Sequence, residues 1–513
     1  MCGIFSYTYQ DSSPTERVKD YGNKCQHRGP DNTKTLEIHS DNTNTYLMFH
    51  RLSINGQNEV SNQPLVHNNC VLMCNGEIYN YKSLAIEHGI TLRTDSDCEI
   101  IIHLYMKLGM KLGMNELLNS LDGVFSFVLY DRNINQIFIG HDPFGIRSLY
   151  WFHDKNQLGI ASEMKCLYDL NQNIEFYPPG SYSIYNVTTG ELNTTKYYNL
   201  IYPSVINESD ESIIKTIRRK LTDSVLKRLN TDVEIGCFLS GGLDSSIIAS
   251  IASKRIKNLK TFSIGLMGSP DLYYSEKVAQ HLGLNHTIVL VTEDQMLSAI
   301  ERTIKQIESY DVTTIRASVP QLLLSEYVKE NSDIKVILSG EGADEVCGSY
   351  LYFHHAPNPA AFQRECIRLV SDVNKFDALR CDKTTSAAGL EVRVPFFDKS
   401  FVDYYMKINP DKKTVRNGME KYLLRKAFDG DLPSEIIWRR KDGFSDGVSS
   451  FSNPWYKIID EYSHKTFNMN EQDMYRHLYD KYYEGVDNIP YLWLPKWTNQ
   501  GETNPSNRLM IND

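Results

Sequence analysis

The feature that most constrains this chain is the run from Val233 to Leu239 together with the turn at its end. The run is apolar and rich in β-branched and aromatic residues, and it stops abruptly at Ser240-Gly241-Gly242-Leu243-Asp244-Ser245-Ser246. Ile247-Ile248-Ala249 then opens a helical pattern. A buried strand, a tight turn and a helix N-terminus account for that order. Two glycines let the backbone take positive φ and come close to a ligand. Three serine hydroxyls stand beside the unbonded N–H groups of the first helical turn, where the helix dipole favours an anion. No GxxxxGK[ST] loop of the common nucleotide-binding kind occurs, so phosphate binding would rest on this turn.

The surrounding pattern gives the turn its setting. After residue 211, strand-like runs at 233–239, 261–266, 286–291 and 335–338 alternate with helical patterns such as 247–255 and 319–330. Such alternation predicts a parallel sheet with helices on both faces, and ligands then bind at the carboxyl ends of the strands. A helix is expected from near Glu211, burying Ile214, Ile217, Leu221, Val225 and Leu229. Upstream the grammar differs. Short strands at 121–130 and 136–140 flank a turn at Asp131-Arg132-Asn133, and 149–152 pairs naturally with 158–161. Antiparallel sheets are expected there. The polar stretch from Tyr185 to Asp210 marks the join, giving domains at 2–190 and 211–513.

Composition narrows the functions open to the chain. A length of 513 residues exceeds one ordinary core. A formal net charge of −10 argues against nucleic acid as the main partner. Of ten cysteines only Cys70 and Cys74 lie close together, a poor zinc signal, and the scatter suits a reducing compartment. No membrane-length apolar run or secretory leader is evident, so a cytoplasmic protein is expected.

The seven-residue Ser-Gly-Gly-x-Asp-Ser-Ser turn resembles the pyrophosphate loop of ATP pyrophosphatases, which cleave ATP between the α and β phosphates. The N-terminal half carries its own set of motifs. Cys2 becomes N-terminal if Met1 is removed, which would place a thiol beside a free α-amine with a pKa of roughly 8. Downstream lie Gln26-His27-Arg28-Gly29-Pro30-Asp31, His50-Arg51-Leu52-Ser53-Ile54-Asn55, Cys74-Asn75-Gly76-Glu77-Ile78 and Thr94-Asp95-Ser96-Asp97. With Cys2 these resemble the glutaminase domain of class II glutamine amidotransferases, an N-terminal nucleophile hydrolase sandwich of antiparallel sheets flanked by helices. The resemblance implies Cys2 as nucleophile, with Asn75 and Gly76 forming an oxyanion hole. Arg51 through Asn55 together with Glu77 and Asp97 would bind glutamine. Arg51 suits its carboxylate and Asp97 its ammonium group. Asn75-Gly76 alone also reads as a hairpin turn.

Beyond the join, Thr313-Thr314-Ile315-Arg316, Ser339-Gly340-Glu341-Gly342-Ala343-Asp344, Leu390-Glu391-Val392-Arg393 and Arg440-Lys441-Asp442-Gly443 follow the phosphate turn in order. Over most of its length the chain is thereby similar to the glutamine-dependent asparagine synthetases. That resemblance implies an α/β, ATP-pyrophosphatase-like second domain. Leu239, Ser240, Gly241, Gly242, Asp244, Ser245, Ser246, Ile264, Ser339 and Gly340 would bind ATP. Thr313, Arg316, Glu341 and Asp344 would meet the substrate or its acyl-adenylate. Glu341 and Lys441 would take part in the chemistry, with Asp244 and Asp344 near Mg²⁺. The partners implied are small molecules (glutamine, aspartate and ATP), with a homodimer left open. A β-lactam-synthetase-like relative is the nearest rival, but such relatives often lose the N-terminal cysteine. A catalytically silent binding module would not keep two full sets of motifs.

Overall fold

The computed structural model describes residues 1–10, 15–40, 42–109, 113–155, 157–202, 204–487, 489–497 and 504–506. Among them the strands before residue 200 are β1 (Gly3–Tyr9), β2 (Asn32–Ser40), β3 (Thr43–Arg51), β4 (Leu65–His67), β5 (Cys70–Ile78), β6 (Gly123–Asp131), β7 (Gln136–His141), β8 (Tyr150–Asp154), β9 (Gln157–Ala161), β10 (Glu175–Phe176), β11 (Ser181–Asn186) and β12 (Leu192–Lys196). They form two antiparallel six-stranded sheets, ordered β10-β8-β9-β1-β3-β2 and β12-β11-β7-β6-β5-β4. Successive side chains point to opposite faces of a strand. Ile4, Leu47, Phe49, Val71, Met73, Val128 and Tyr130 therefore fill the space between the sheets. Their neighbours Phe5, Tyr7, Met48, Leu72 and Leu129 pack on the outer faces. Both faces of β1 are covered, which is why all seven of its residues are buried. The layered α+β sandwich expected of this half is present.

The hairpin turn that Asn75-Gly76 would favour on its own is not formed. Both residues lie inside β5, and Gly76 sits opposite Phe125 of β6. A Cβ at Gly76 would lie 2.2 Å from the Val124 carbonyl oxygen, so the glycine serves close strand approach rather than chain reversal.

The second half begins with helix Asp210–Lys227, whose cap residue Ser209 accepts a hydrogen bond from the Ser212 N–H. The helix buries Ile213, Ile217, Leu221 and Val225, whereas Ile214 is only half-buried and Leu229 lies past its end. The apolar face is thus set one residue earlier at its start than expected. The parallel sheet comprises β13 (Ile235–Phe238), β14 (Lys260–Gly265), β15 (Asn285–Leu290), β16 (Val336–Leu338) and β17 (Glu391–Arg393), ordered β15-β14-β13-β16-β17. β17 adds a strand to the four expected. Its charged ends are buried, with Arg393 Nε donating to Glu391 Oε1 at 2.8 Å. The order of strands reverses between β13 and β16, so a crevice opens beyond the carboxyl ends of those two strands. Among the described residues no helix is long and apolar enough to cross a membrane.

The halves meet through apolar and ionic contacts. Phe144 packs on Phe397 with ring centroids 5.8 Å apart, and Lys227 pairs with Asp122 at 2.6 Å. The Asp142–Arg147 and Ser162–Lys165 segments reach across. Arg147 donates to the Val392 carbonyl at 3.1 Å, and the Lys165 N–H donates to Glu308 at 2.9 Å.

Candidate active sites

In the N-terminal half, Cys2 stands immediately before β1, between β3 and β5. Its backbone N–H donates to Asn75 Oδ1 at 3.0 Å, and its sulfur lies 3.4 Å from the donating N–H of Leu52. Asn75 Nδ2 is buried without a hydrogen-bond partner, the arrangement an oxyanion donor requires before its substrate arrives. Burial pushes the Cys2 thiol up to about 11 while Met1 is in place. The Met1 side chain is buried as well. Its ammonium nitrogen donates to the Leu390 carbonyl at 2.9 Å, and Arg147 Nη1 lies 2.7 Å from its sulfur.

The expected glutamine-binding side chains lie close by. Arg51 directs its fork into the loop 55–62, donating to the carbonyls of Asn55 at 3.0 Å, of Gly56, and to Asn62 Oδ1 at 2.7 Å. Asp97 accepts from the Ile78 N–H at 2.6 Å, and burial pushes its carboxyl up to about 6. Glu77 accepts from Asn55 Nδ2 at 2.7 Å and lies 3.2 Å from Arg393 of the second half. Burial, with Asp97 nearby, holds its carboxyl well above the usual range. Ser53 accompanies this group, its N–H donating to Asp31 at 2.8 Å.

The second site occupies the crevice at the reversal of strand order. The phosphate turn follows β13, and Ser339-Gly340-Glu341 follows β16. Gly241 takes φ of +69°, and a Cβ there would lie 2.4 Å from the Ser275 nitrogen. A Cβ on Gly340 would lie 2.7 Å from the Ser245 nitrogen, so both loops approach as only glycine allows. Within the turn, Ser245 Oγ accepts from the Ser240 N–H at 3.2 Å, and Ser240 Oγ accepts from the Gly242 N–H at 3.2 Å. These hydroxyls stand in for the oxygens of an anion at the start of helix Leu243–Ser253.

Charge is concentrated on the far wall. Lys421 Nζ bridges Asp244 and Asp344, 2.6 Å from an oxygen of each, and Lys441 Nζ donates to Asp344 at 2.6 Å. Burial alone would raise the Asp344 carboxyl, but the two lysines together hold it far below the usual range. Burial would likewise lower both lysines, yet the facing carboxylates hold them above their ordinary values. Glu341 is paired with Arg380 at 2.6 Å, and burial still raises its carboxyl.

A family model described as asparagine synthase matches residues 216–361 and 355–488, and one described as a glutamine amidotransferase domain matches residues 1–200. The chain is 36% identical to the asparagine synthetase [glutamine-hydrolyzing] of Bos taurus, covering 99% of this chain and 98% of the relative. Its identity to the protein of the same name from Homo sapiens is also 36%, again over 99% and 98%. A probable asparagine synthetase [glutamine-hydrolyzing] from Acanthamoeba polyphaga mimivirus is 36% identical, over 99% of both chains. The chain belongs to the asparagine synthetase family.

Within this family member, the structure gathers most residues singled out in the sequence. Leu239, Ser240, Gly242, Asp244, Ser245, Ile264, Thr313, Ser339, Gly340, Glu341, Asp344 and Lys441 all line the crevice. Gly241 turns the chain behind them, and Ser246 is buried with its hydroxyl unpartnered. Arg316 does not line the crevice. Its guanidinium is paired with Glu471, Nε to Oε1 at 2.8 Å, and donates to Asn504 Oδ1 at 2.7 Å. It is therefore already paired, and Arg380 is the arginine that reaches the Glu341 carboxylate. Lys421 and Arg380 carry no signal in the sequence, because neither falls in a glycine-rich or strand-terminal motif.

The carboxylates of the crevice bear on Mg²⁺. Among the described residues no group of three or more His, Cys, Asp or Glu side chains could hold a metal ion. Asp244 Oδ1, however, is buried without a partner beside Asp344. One or two carboxylates plus substrate phosphates is how Mg²⁺ is commonly held, so the residues fit a metal that arrives with a nucleotide.

Proposed function

We infer that the chain is a glutamine-hydrolysing asparagine synthetase. It converts ATP, L-aspartate, L-glutamine and water to AMP, pyrophosphate, L-asparagine and L-glutamate. The observation that carries this reading is the pairing, in one chain, of the Cys2–Asn75 centre with a nucleotide crevice at the reversal of a parallel sheet.

In the glutaminase half, the Cys2 thiol attacks the side-chain amide of glutamine. Arg51 holds the α-carboxylate, Asp97 and Glu77 hold the ammonium group, and Leu52 to Asn55 form the wall of the pocket. The oxyanion of the tetrahedral intermediate falls to Asn75 Nδ2 and the Gly76 N–H. With Met1 removed, the freed α-amine of Cys2 is the local base. Ammonia leaves, and water releases glutamate from the thioester. Removal of Met1 also empties a buried slot between Arg147 and Leu390 of the second half. A sheltered passage matters because ammonia in bulk water at neutral pH is mostly protonated and not nucleophilic.

In the crevice, the aspartate β-carboxylate attacks the α-phosphorus of ATP, expelling pyrophosphate and leaving β-aspartyl-AMP. Ser240, Gly241, Gly242, Ser245 and Ser246 cradle the departing pyrophosphate, while Leu239, Ile264, Ser339 and Gly340 border the adenosine. Lys441 offsets charge developing on phosphate. Glu341 takes a proton from the attacking ammonia as AMP leaves, a role that suits a carboxyl raised by burial. Mg²⁺, held by Asp244 and Asp344 together with the phosphates, would supply charge neutralisation there. Thr313, which lines the crevice, would meet the aspartate. Ten free cysteines, nine of them buried, support a cytoplasmic setting.

The test is stoichiometric. Purified protein given glutamine, aspartate and MgATP should form asparagine, AMP and pyrophosphate in equal amounts. Aspartate-dependent formation of ADP and phosphate would overturn the reading.

A further inference from the structure

Helix Asp377–Ala387 is polar in sequence, Asp-Ala-Leu-Arg-Cys-Asp-Lys-Thr-Thr-Ser-Ala, yet every residue from Arg380 to Ser386 is buried. Burying such groups is unfavourable unless each finds a partner. Here the partners divide by direction. On one side Arg380 Nη2 donates to Glu341 Oε2 at 2.6 Å, and Nη1 donates to Gln321. On the other side Asp382 Oδ2 accepts from Arg28 Nη2 at 2.8 Å and from Ser148 Oγ at 3.0 Å. Ser386 Oγ accepts from Arg28 Nη1 at 3.0 Å. Lys383 pairs with Glu308, whose carboxylate also accepts from the Met164 N–H at 2.8 Å. Thr384 and Thr385 return their hydroxyls to carbonyls of the helix itself.

Arg28 completes the chain of contacts. Its Nε donates to the carbonyl oxygen of Cys2 at 2.8 Å, and its side chain is wholly shielded from water, as is that of Asp382. One helix therefore grips Glu341 of the nucleotide site with Arg380 and the backbone of the Cys2 nucleophile through Asp382 and Arg28.

We propose that helix Asp377–Ala387 couples the two active sites, with Asp382 and Arg28 as the positioning pair that ties the placement of Cys2 to the state of Glu341. The inference rests on the functional reading above. Neither residue touches substrate. When Glu341 engages the acyl-adenylate it must loosen its hold on Arg380. The helix then settles into a second position, and the buried Arg28–Asp382 pair carries that shift toward Cys2, although Arg28 also pairs with Glu163 at 2.7 Å and Asp382 also faces Arg147 at 3.8 Å.

The experiment uses the full chain and two variants, Asp382→Asn and Ser386→Ala. Glutaminase kcat is measured with and without MgATP plus aspartate, alongside glutamine hydrolysed per asparagine formed and synthesis from ammonium chloride. In the unsubstituted protein, MgATP with aspartate should raise glutaminase turnover, and hydrolysis should match synthesis closely. Asp382→Asn should reduce that stimulation, and raise glutamine spent per asparagine, by about fivefold or more, the lower end of ordinary coupling between sites. Synthesis from ammonia should be retained. Ser386→Ala should move both ratios the same way by less, and it decides the matter alone if Asp382→Asn does not fold. Unchanged ratios in the folded variants, a parallel loss of both half-reactions, or no stimulation in the unsubstituted protein would overturn the proposal. An unsubstituted protein that makes no asparagine from either nitrogen source would overturn the functional reading itself.

Discussion

The two sites hold their charged groups in opposite ways. In the glutaminase half Arg51 is wrapped by backbone carbonyls, and Asp97 rests on a backbone N–H. Their direct hydrogen-bond partners are neutral dipoles, so burial governs the result over the opposing charges of Glu391 and Arg393, and the Asp97 carboxyl rises. In the nucleotide crevice Asp244, Lys421, Asp344 and Lys441 neutralise one another directly. Ion pairing governs there, and the Asp344 carboxyl falls. A ligand entering the first site replaces dipoles with an opposite charge. A ligand entering the second must exchange partners within an ionic lattice, offering phosphate to the lysines and a cation to the carboxylates.

That contrast breaks most sharply at Cys2. Cys2→Ala should cut glutamine-dependent asparagine formation by at least about a thousandfold, as loss of a nucleophile does. Synthesis from ammonium chloride at alkaline pH should persist, because every nucleotide contact lies beyond residue 230. Asparagine assayed with each nitrogen source checks both halves of the statement. The reciprocal change, Glu341→Ala, should lower synthesis from either source by about a hundredfold or more, the usual scale for a lost general base. Glutamate release from glutamine should survive it, and retained synthesis from ammonia would remove Glu341 from the mechanism.

Lys421→Met examines the ionic lattice. It leaves Asp244 without its counter-charge, and one orphaned member of a buried pair costs about 3–5 kcal/mol. Urea unfolding of the second half should register the loss, while the geometry around Cys2 should be undisturbed. The smallest expected effect is the pH response of Asp97. Its folded-state carboxyl sits at about 6, above its ordinary 3.8. The associated stability is therefore present in full below about pH 4 and is lost as pH rises through about 6. Asp97→Asn should gain about 1–3 kcal/mol relative to the unsubstituted protein above pH 6, and nothing below pH 4. For catalysis the sign reverses: KM for glutamine should rise as pH falls below about 6, since only the ionised form holds an ammonium group.

Much of this is legible from residue order. The strand–turn–helix at Ser240 appears where the apolar run and the glycines place it, because local sterics and solvent preference decide such a unit. The Asn75-Gly76 step shows where local reasoning runs short. In isolation it favours a turn, but pairing with β6 holds it extended and requires the glycine for clearance. β17 is hidden in the sequence because Glu391 and Arg393 neutralise each other, a fact that depends on burial rather than on either residue's preference. Arg316 looks available in the sequence, but the approach of helix Glu471–Tyr483 and of Asn504 engages it.

By itself, then, the sequence determined which chemistry the chain can perform, since nucleophile, phosphate turn and acidic loops are fixed by residue type and by short-range geometry. It also determined that the two chemistries lie in successive halves. The tertiary structure alone decided that Lys421 would join Asp244 to Asp344 across 177 and 77 residues of chain. It alone made the polar helix Asp377–Ala387 an interior element, joined by Arg28 to Cys2. The physical reason is the same in both cases: a charge buried far from water acquires its meaning from whichever opposite charge the fold brings to it, and that partner carries no signature in the local sequence.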